Sequence, residues 1–119
     1  MPAKPKKFLT LSERSAYHSL EDVVGCKWSA GVVAALSQGV HRPGALERYI
    51  PGISSKVLNE RLRKLLAYGL VIREEGTGLP AHVEYHLTPS GVRLAEILGQ
   101  LRVLNGEHQA TLDEREGAP

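Results

Sequence analysis

Residues Pro51 to Val71 read PGISSKVLNERLRKLLAYGLV, a stretch that joins a turn, a regular amphipathic helix and the start of a strand. Pro51-Gly52 is a turn signal. Ser54 suits the helix N-cap and Gly69 the stop, while the residues from Leu70 onward favour a strand. At about 100° per residue, Leu58, Leu62, Leu65 and Leu66 fall on one side, which must pack on a scaffold. Lys56, Asn59, Glu60 and Arg63 fall together on another, at offsets of three, four and seven. Arginine or lysine bonds guanine's edge and asparagine bonds adenine's, so this second stripe has the chemistry to read a DNA major groove. On an isolated helix it would be only a solvated face; the neighbouring elements decide.

Upstream, Thr10 and Glu13 have capping-box spacing, and Ala16, Tyr17, Leu20, Val23 and Val24 recur at helical intervals. These features predict a helix from about Leu11 to Val24. Trp28, Val32, Val33, Ala35 and Leu36 mark a second helix that ends before Gly39, and Pro43 to Tyr49 forms a brief third opened by its proline. Downstream, Leu70 to Glu75 and His82 to Thr88 read as two strands around a loose tip, EGTGLPA. Thr88 caps and Pro89 opens a last helix with Leu94, Ile97, Leu98, Leu101 and Leu104 as a broad apolar stripe. A short helix, a tight turn and a longer basic helix make a helix-turn-helix, and a hairpin directly after it is a wing. The predicted fold class is α+β, mainly α: a winged helix-turn-helix with extra N- and C-terminal helices for dimerisation. The expected organisation is a flexible basic arm over 1–10, the winged-helix domain with its dimerisation helices over 11–104, and a polar, acidic, disordered tail over 105–119.

The chain has 119 residues, enough for one core, with 42% apolar and 24% charged residues. No apolar run suits a membrane span, and the basic N-terminus lacks the apolar core of a secretory signal, so the cytoplasm is the expected compartment. The single cysteine, Cys26, cannot staple the chain to itself, and no Cys/His spacing suits a structural metal. The net charge of +2 is unevenly spread. From His41 to Arg73 seven basic residues stand against two acidic ones, and from Glu74 to Pro119 three stand against eight. An anionic partner is therefore sought around the opening stretch.

Three segments, GCKW at Gly25–Trp28, YIPGISSKVLNERLRKLLAYGLV at Tyr49–Val71 and HVEYHLTPSG at His82–Gly91, resemble the HxlR-type bacterial winged-helix regulators, relatives of the MarR group. The similarity spans about Ser15 to Leu104. It implies a homodimer paired through the first and last helices, with each recognition helix in a major groove and each wing approaching a minor groove. The width of the last helix's apolar stripe independently suggests a partner. Two-fold symmetry implies a near-palindromic operator with half-sites about one helical turn apart. The resemblance also implies repression, since a small dimer on a promoter blocks polymerase.

The residues assigned to DNA contact are Arg42, Ser54, Ser55, Lys56, Asn59, Glu60, Arg63, Arg73 and His82. Those assigned to the dimer interface are Tyr17, Leu20, Leu94, Leu98, Leu101 and Leu104. Arg61 and Lys64, off the stripe, are left to phosphates or water, and Lys4, Lys6 and Lys7 form a basic arm of either binding or solubilising role. Relatives often carry a sensor cysteine shortly before the first helix, but Ser15 stands there and cannot form a thiolate. Cys26 occupies a position where glycine is usual and reads as structural. His82 stands where an arginine is common in the wing, and Glu74 and Glu75 lie beside it, so wing contacts should be weak or pH dependent.

Enzymatic activity is not expected. The five histidines are scattered, and neither a phosphate loop nor a nucleophile elbow occurs. No cofactor and no metal is expected. The rival reading is a winged helix used for protein contact, kept open by Glu60 and the acidic wing. A small-molecule effector pocket between the dimer helices and the DNA-binding lobe would draw on Tyr17, Trp28 and Tyr68.

Overall fold

The computed structural model describes residues 8–25, 27–76 and 82–117. The basic arm up to Lys7, Cys26 and the wing tip from Thr77 to Ala81 lie outside the described residues. Among the described residues, five helices and one hairpin follow in the order α1 (Leu11–Val24), α2 (Ser29–Ser37), α3 (Pro43–Tyr49), α4 (Ser55–Ala67), β1 (Val71–Gly76), β2 (His82–Leu87) and α5 (Pro89–Gly117). This is a mostly helical winged helix-turn-helix, as the sequence predicts.

Local chemistry sets the boundaries. Thr10 Oγ1 accepts from the Glu13 amide at 3.1 Å and Glu13 Oε1 accepts from the Thr10 amide at 3.2 Å, closing the capping box of α1. Ser54 Oγ caps α4 by accepting from the Val57 amide at 3.1 Å. Gly52 and Gly69, with φ of 86° and 70°, make the turn before α4 and the stop after it, conformations that cost a side-chain-bearing residue energy. Trp28 bears that cost. With φ of 81° it is the only non-glycine residue in the left-handed region among those described, and it stands just outside α2 as its N-cap rather than within the helix. Its half-buried indole packs against the core and lies over the Gly52 turn.

α2 has no ionisable side chain and holds the centre, touching α1, α3, α4, α5 and β2. A helix apolar all round belongs inside. Val32, Val33, Ala35 and Leu36 of α2 join Val23, Leu46, Ile50, Ile53, Leu58, Leu62, Leu65, Leu70, Val71 and Leu94 in one core. The strands pair antiparallel, with Val71 opposite Leu87 and Gly76 opposite His82. The segment before α3 adds a short third rung: the Tyr85 amide donates to the His41 carbonyl at 2.8 Å, and His41 Nδ1 lies 2.9 Å from the Tyr85 carbonyl. Thr88 ties the ends of α4 and the hairpin to α5. Its hydroxyl donates to the Gly69 carbonyl at 2.7 Å and accepts from the Gly91 amide at 3.1 Å, and its amide donates to the Leu70 carbonyl at 3.0 Å.

The expected disordered tail is corrected. α5 continues unbroken to Gly117, about 43 Å in all at 1.5 Å per residue. Glu107, Gln109, Ala110, Leu112, Glu114 and Arg115 favour helix, and Gln109 Nε2 donates to Asp113 Oδ1 at 3.1 Å one turn on. These gains outweigh Gly106, whose helical cost is about 1 kcal/mol.

α1 reaches the end of α4 through polar links. The Tyr68 hydroxyl donates to Asp22 Oδ2 at 2.8 Å, and Lys64 Nζ lies 3.1 Å from Asp22 Oδ1. The bond from Tyr68, with that from Lys64, holds the Asp22 carboxyl below its usual range. A depressed carboxyl pKa stabilises the fold above the unfolded value, about 3.9, and the contribution is lost as pH falls through the folded value. Asp22→Asn should therefore lower stability at neutral pH, and in urea unfolding its deficit against the parent should shrink below about pH 4. The close seat of α5 gives a second expectation. A Cβ on Gly91 would lie 2.0 Å from the Leu70 carbonyl oxygen. Gly91→Ala should cost about 3 kcal/mol in the same unfolding assay, because backbone must move to admit it.

Candidate nucleic-acid interface

The turn between α3 and α4 is held from both sides. Ile50 and Ile53 are buried beneath it, and the Ser55 hydroxyl donates to Glu47 Oε1 of α3. Leu58, Leu62 and Leu65, each 1% exposed, then fix the rotation of α4 about its axis. Lys56, Asn59, Glu60 and Arg63 are consequently all exposed on one outward stripe. Leu66, expected with the packing side, is half-buried against the core.

The other assigned residues divide by what they already bond. Arg42 is exposed at the N-cap of α3, near the helix-turn-helix. Ser54 and Ser55 are exposed at the start of α4, but one hydroxyl caps the helix and the other bonds Glu47. What this end offers an anion is chiefly the positive end of the helix. Arg73 Nη1 donates to Glu75 Oε1 at 3.0 Å, and the bonds to Glu75 and to Tyr85 hold its guanidinium in the charged form. His82, half-buried, lies with Nε2 2.9 Å from Glu84 Oε2. Lys64 is corrected: instead of phosphate or water alone, it meets Asp22 of α1. Arg61 is half-buried, and its Nε is shielded from solvent with no hydrogen-bond partner.

A second surface lies along α1 and α5. Tyr17 and Leu20 of α1 are 59% and 50% exposed, and Leu101 and Leu104 of α5 are 48% and 58% exposed. Leu94 is corrected. It is 5% exposed and belongs to the subunit's own core, because the first turns of α5 pack on α2. Leu98 is half-buried at the edge between core and surface. Beyond it, Ala30, Leu98, Leu101, Leu104 and His108 line an apolar trough of about 620 Å³.

The aromatic trio expected around an effector does not assemble. Tyr17 lines a shallow depression with Leu20 and Val24, Tyr68 lines another with Glu60 and Arg63, and Trp28 packs over the Gly52 turn. Ser15 lies within α1 and is exposed. Among the described residues no group of three or more His, Cys, Asp or Glu is placed to hold a metal, and no helix is long and apolar enough to cross a membrane.

One cluster was missed. His82, Glu84 and His86 share a face of β2, Glu74 joins them from β1, and His41 stacks on His86 with ring centroids 4.0 Å apart. The alternation His-x-Glu-x-His was visible in the sequence, but the register that brings Glu74 opposite Glu84 was not. The bond from His82, assisted by that from His86, holds the Glu84 carboxyl below its usual range.

Comparison with known proteins agrees with this fold. The chain is 38% identical over 80 residues to YvaP, an HTH-type transcriptional regulator of Bacillus subtilis (strain 168), covering 67% of this chain and 74% of that one. It is 41% identical over 81 residues to YkvN of the same organism, covering 68% and 69%. A MarR-family transcriptional regulator from Enterococcus faecalis V583 superposes with a TM-score of 0.73 at 34% identity, covering 92% of this chain and 99% of that one. The reduced form of the redox regulator HypR gives 0.73 at 30%, covering 83% and 98%. The relatives are transcription regulators and not enzymes. The HxlR-like helix-turn-helix model matches residues 23–112, from the end of α1 far into α5, and the chain belongs to that family of transcriptional regulators.

Proposed function

We propose that the protein is a sequence-specific repressor that acts in the cytoplasm as a homodimer on a near-palindromic operator. The observation that carries the reading is the outward stripe of Lys56, Asn59 and Arg63 on a helix whose leucines are almost wholly buried. In this reading α4 enters the major groove, where Arg63 and Lys56 meet guanine edges and Asn59 an adenine edge. Arg42 and the first turn of α4 hold phosphates, and the wing approaches the minor groove with Arg73 and His82. Glu60 fits a cytosine amino group or excludes other bases.

The homodimer rests on the exposed apolar surface. Tyr17, Leu20, Leu101 and Leu104 stand on the two terminal helices, while Leu98 bridges core and interface. Along α5, Leu98, Leu101, Asn105, His108 and Leu112 continue at alternating steps of three and four, a seam that suits a second helix. Any small-molecule effector belongs to the trough beside this seam, away from the three aromatic residues.

Selection from a random duplex pool should enrich a near-palindrome, and its affinity should fall with salt by about 0.9 log unit per phosphate contact for each tenfold rise. Arg63→Ala should weaken the selected duplex by roughly 1–3 kcal/mol and relax the preference at one base pair per half-site. Weak, equal binding to selected and scrambled duplexes would favour the protein-contact reading instead. Sedimentation should show a dimer that becomes a folded monomer in the double variant Leu101→Glu with Leu104→Glu, since two charges cannot be buried unpaired.

A further inference from the structure

The outer face of the wing places two carboxylates and two imidazoles where their charges must be settled together. Glu74 and Glu84 are direct cross-strand partners, and like charges so placed repel. His86 Nε2 lies between them, 3.2 Å from Glu84 Oε1 and 3.7 Å from Glu74 Oε2. His82 Nε2 lies 2.9 Å from Glu84 Oε2. Gly76, opposite His82, leaves room for that ring: a Cβ there would lie 2.2 Å from its Nε2.

His41 limits where added protons go. Its Nδ1 faces the Tyr85 carbonyl at 2.9 Å, and a carbonyl only accepts, so Nδ1 carries the hydrogen of the neutral ring. A further proton on His41 would set a cation 4.0 Å from the His86 ring. His82 and His86, unlike His41, each lie beside a carboxylate that would balance an added proton. With both protonated, the four side chains would pass from a net charge of −2 to zero. Of the elements packed on the hairpin, α2 carries no charge and α5 none before Arg93; α3 carries Glu47, bonded to Ser55, and Arg48, and α4 carries Lys56, Glu60, Arg61, Arg63 and Lys64, the last paired with Asp22. Arg42 adjoins His41, and Arg73 pairs with Glu75 on the opposite face of the hairpin.

We propose that this carboxylate–imidazole cluster is a proton-operated control on DNA binding: deprotonated, it holds the wing off the phosphates, and protonated, it admits the wing. The proposal rests on the DNA-binding reading above. Histidine is the side chain that ordinarily changes charge between pH 5 and 8, and a charge of −2 acts on phosphates within a Debye length of about 8–10 Å. By linkage, a duplex that is bound better by the protonated form must itself draw protons onto the wing.

The test is the affinity for the selected duplex at about pH 6 and about pH 8, at one ionic strength, for the parent, the single variant His86→Gln and one double variant. The parent should bind roughly tenfold more tightly at the lower pH. His86→Gln, at a residue that lies between both carboxylates and has no part in the DNA contact, should match the parent at the higher pH and lose most of the gain at the lower. Glu74→Gln with Glu84→Gln should bind at the higher pH nearly as tightly as the parent does at the lower. His18 and His108 are present in all three proteins, so their effect cancels. The same pH dependence in the parent and the histidine variant, or an unchanged affinity of the glutamine variant at the higher pH, overturns the proposal while leaving the DNA reading intact. A parent that binds no duplex at either pH overturns the DNA reading itself, and this proposal with it.

Discussion

Leu58, Leu62 and Leu65 of α4 are buried against the rest of the core, and the orientation of the exposed stripe of Lys56, Asn59, Glu60 and Arg63 depends on that burial. Each side chain removed from water contributes about 1.5–3 kcal/mol. Turning α4 by one residue, about 100°, would lift leucines into water and drive Lys56 or Arg63 into the core without partners. The packing therefore selects one rotation. The turn sets the tilt through Gly52, through the two buried isoleucines and through the bond between Ser55 and Glu47. An exposed stripe is thus held by residues that point the other way.

The same helix is gripped at its far end from α1. Lys64 and Tyr68 both reach Asp22, one helical turn after the exposed face bearing Tyr17 and Leu20. α1 otherwise packs chiefly on α2. A displacement of α1 thus reaches α4 by two routes, through the apolar contact with α2 and through a pair of polar bonds at the last turn of α4. The polar route is the more selective, since it acts on the end of α4 without disturbing the core.

How much of this could be read in advance follows from what each signal encodes. The bounds of α1, α3 and α4 were legible because caps and stops are local chemistry: Thr10 with Glu13, Pro43, Ser54 and Gly69 each act within a turn of chain. The start of α2 was not, because a tryptophan in the left-handed region is dictated by what its ring packs on. The stripe on α5 does not say how far the core wraps around it, so Leu94 is expected outward and lies inside. Polar composition beyond Leu104 suggested fraying, while helix-forming residues and bonds one turn apart carry α5 on to Gly117. The wing cluster needed strand register, which no single strand contains.

Charge shows the same difference between counting and geometry. The segment from His41 to Arg73 carries a formal surplus of five positive charges, yet Lys64 meets Asp22 and Arg73 meets Glu75, both acids supplied from outside that segment. Glu47 in turn is occupied by Ser55, and the negative face of the wing stands beside His41 and Arg42. The field offered to a polyanion is narrower than the sequence total suggests. It is concentrated on the outward side of α4 and on Arg42 and Arg48, with an acidic margin along the hairpin. On the proposed DNA-binding reading, a duplex would be drawn to the outward side of α4 and repelled at its edge, so electrostatics would favour a docking in which α4 meets the groove first.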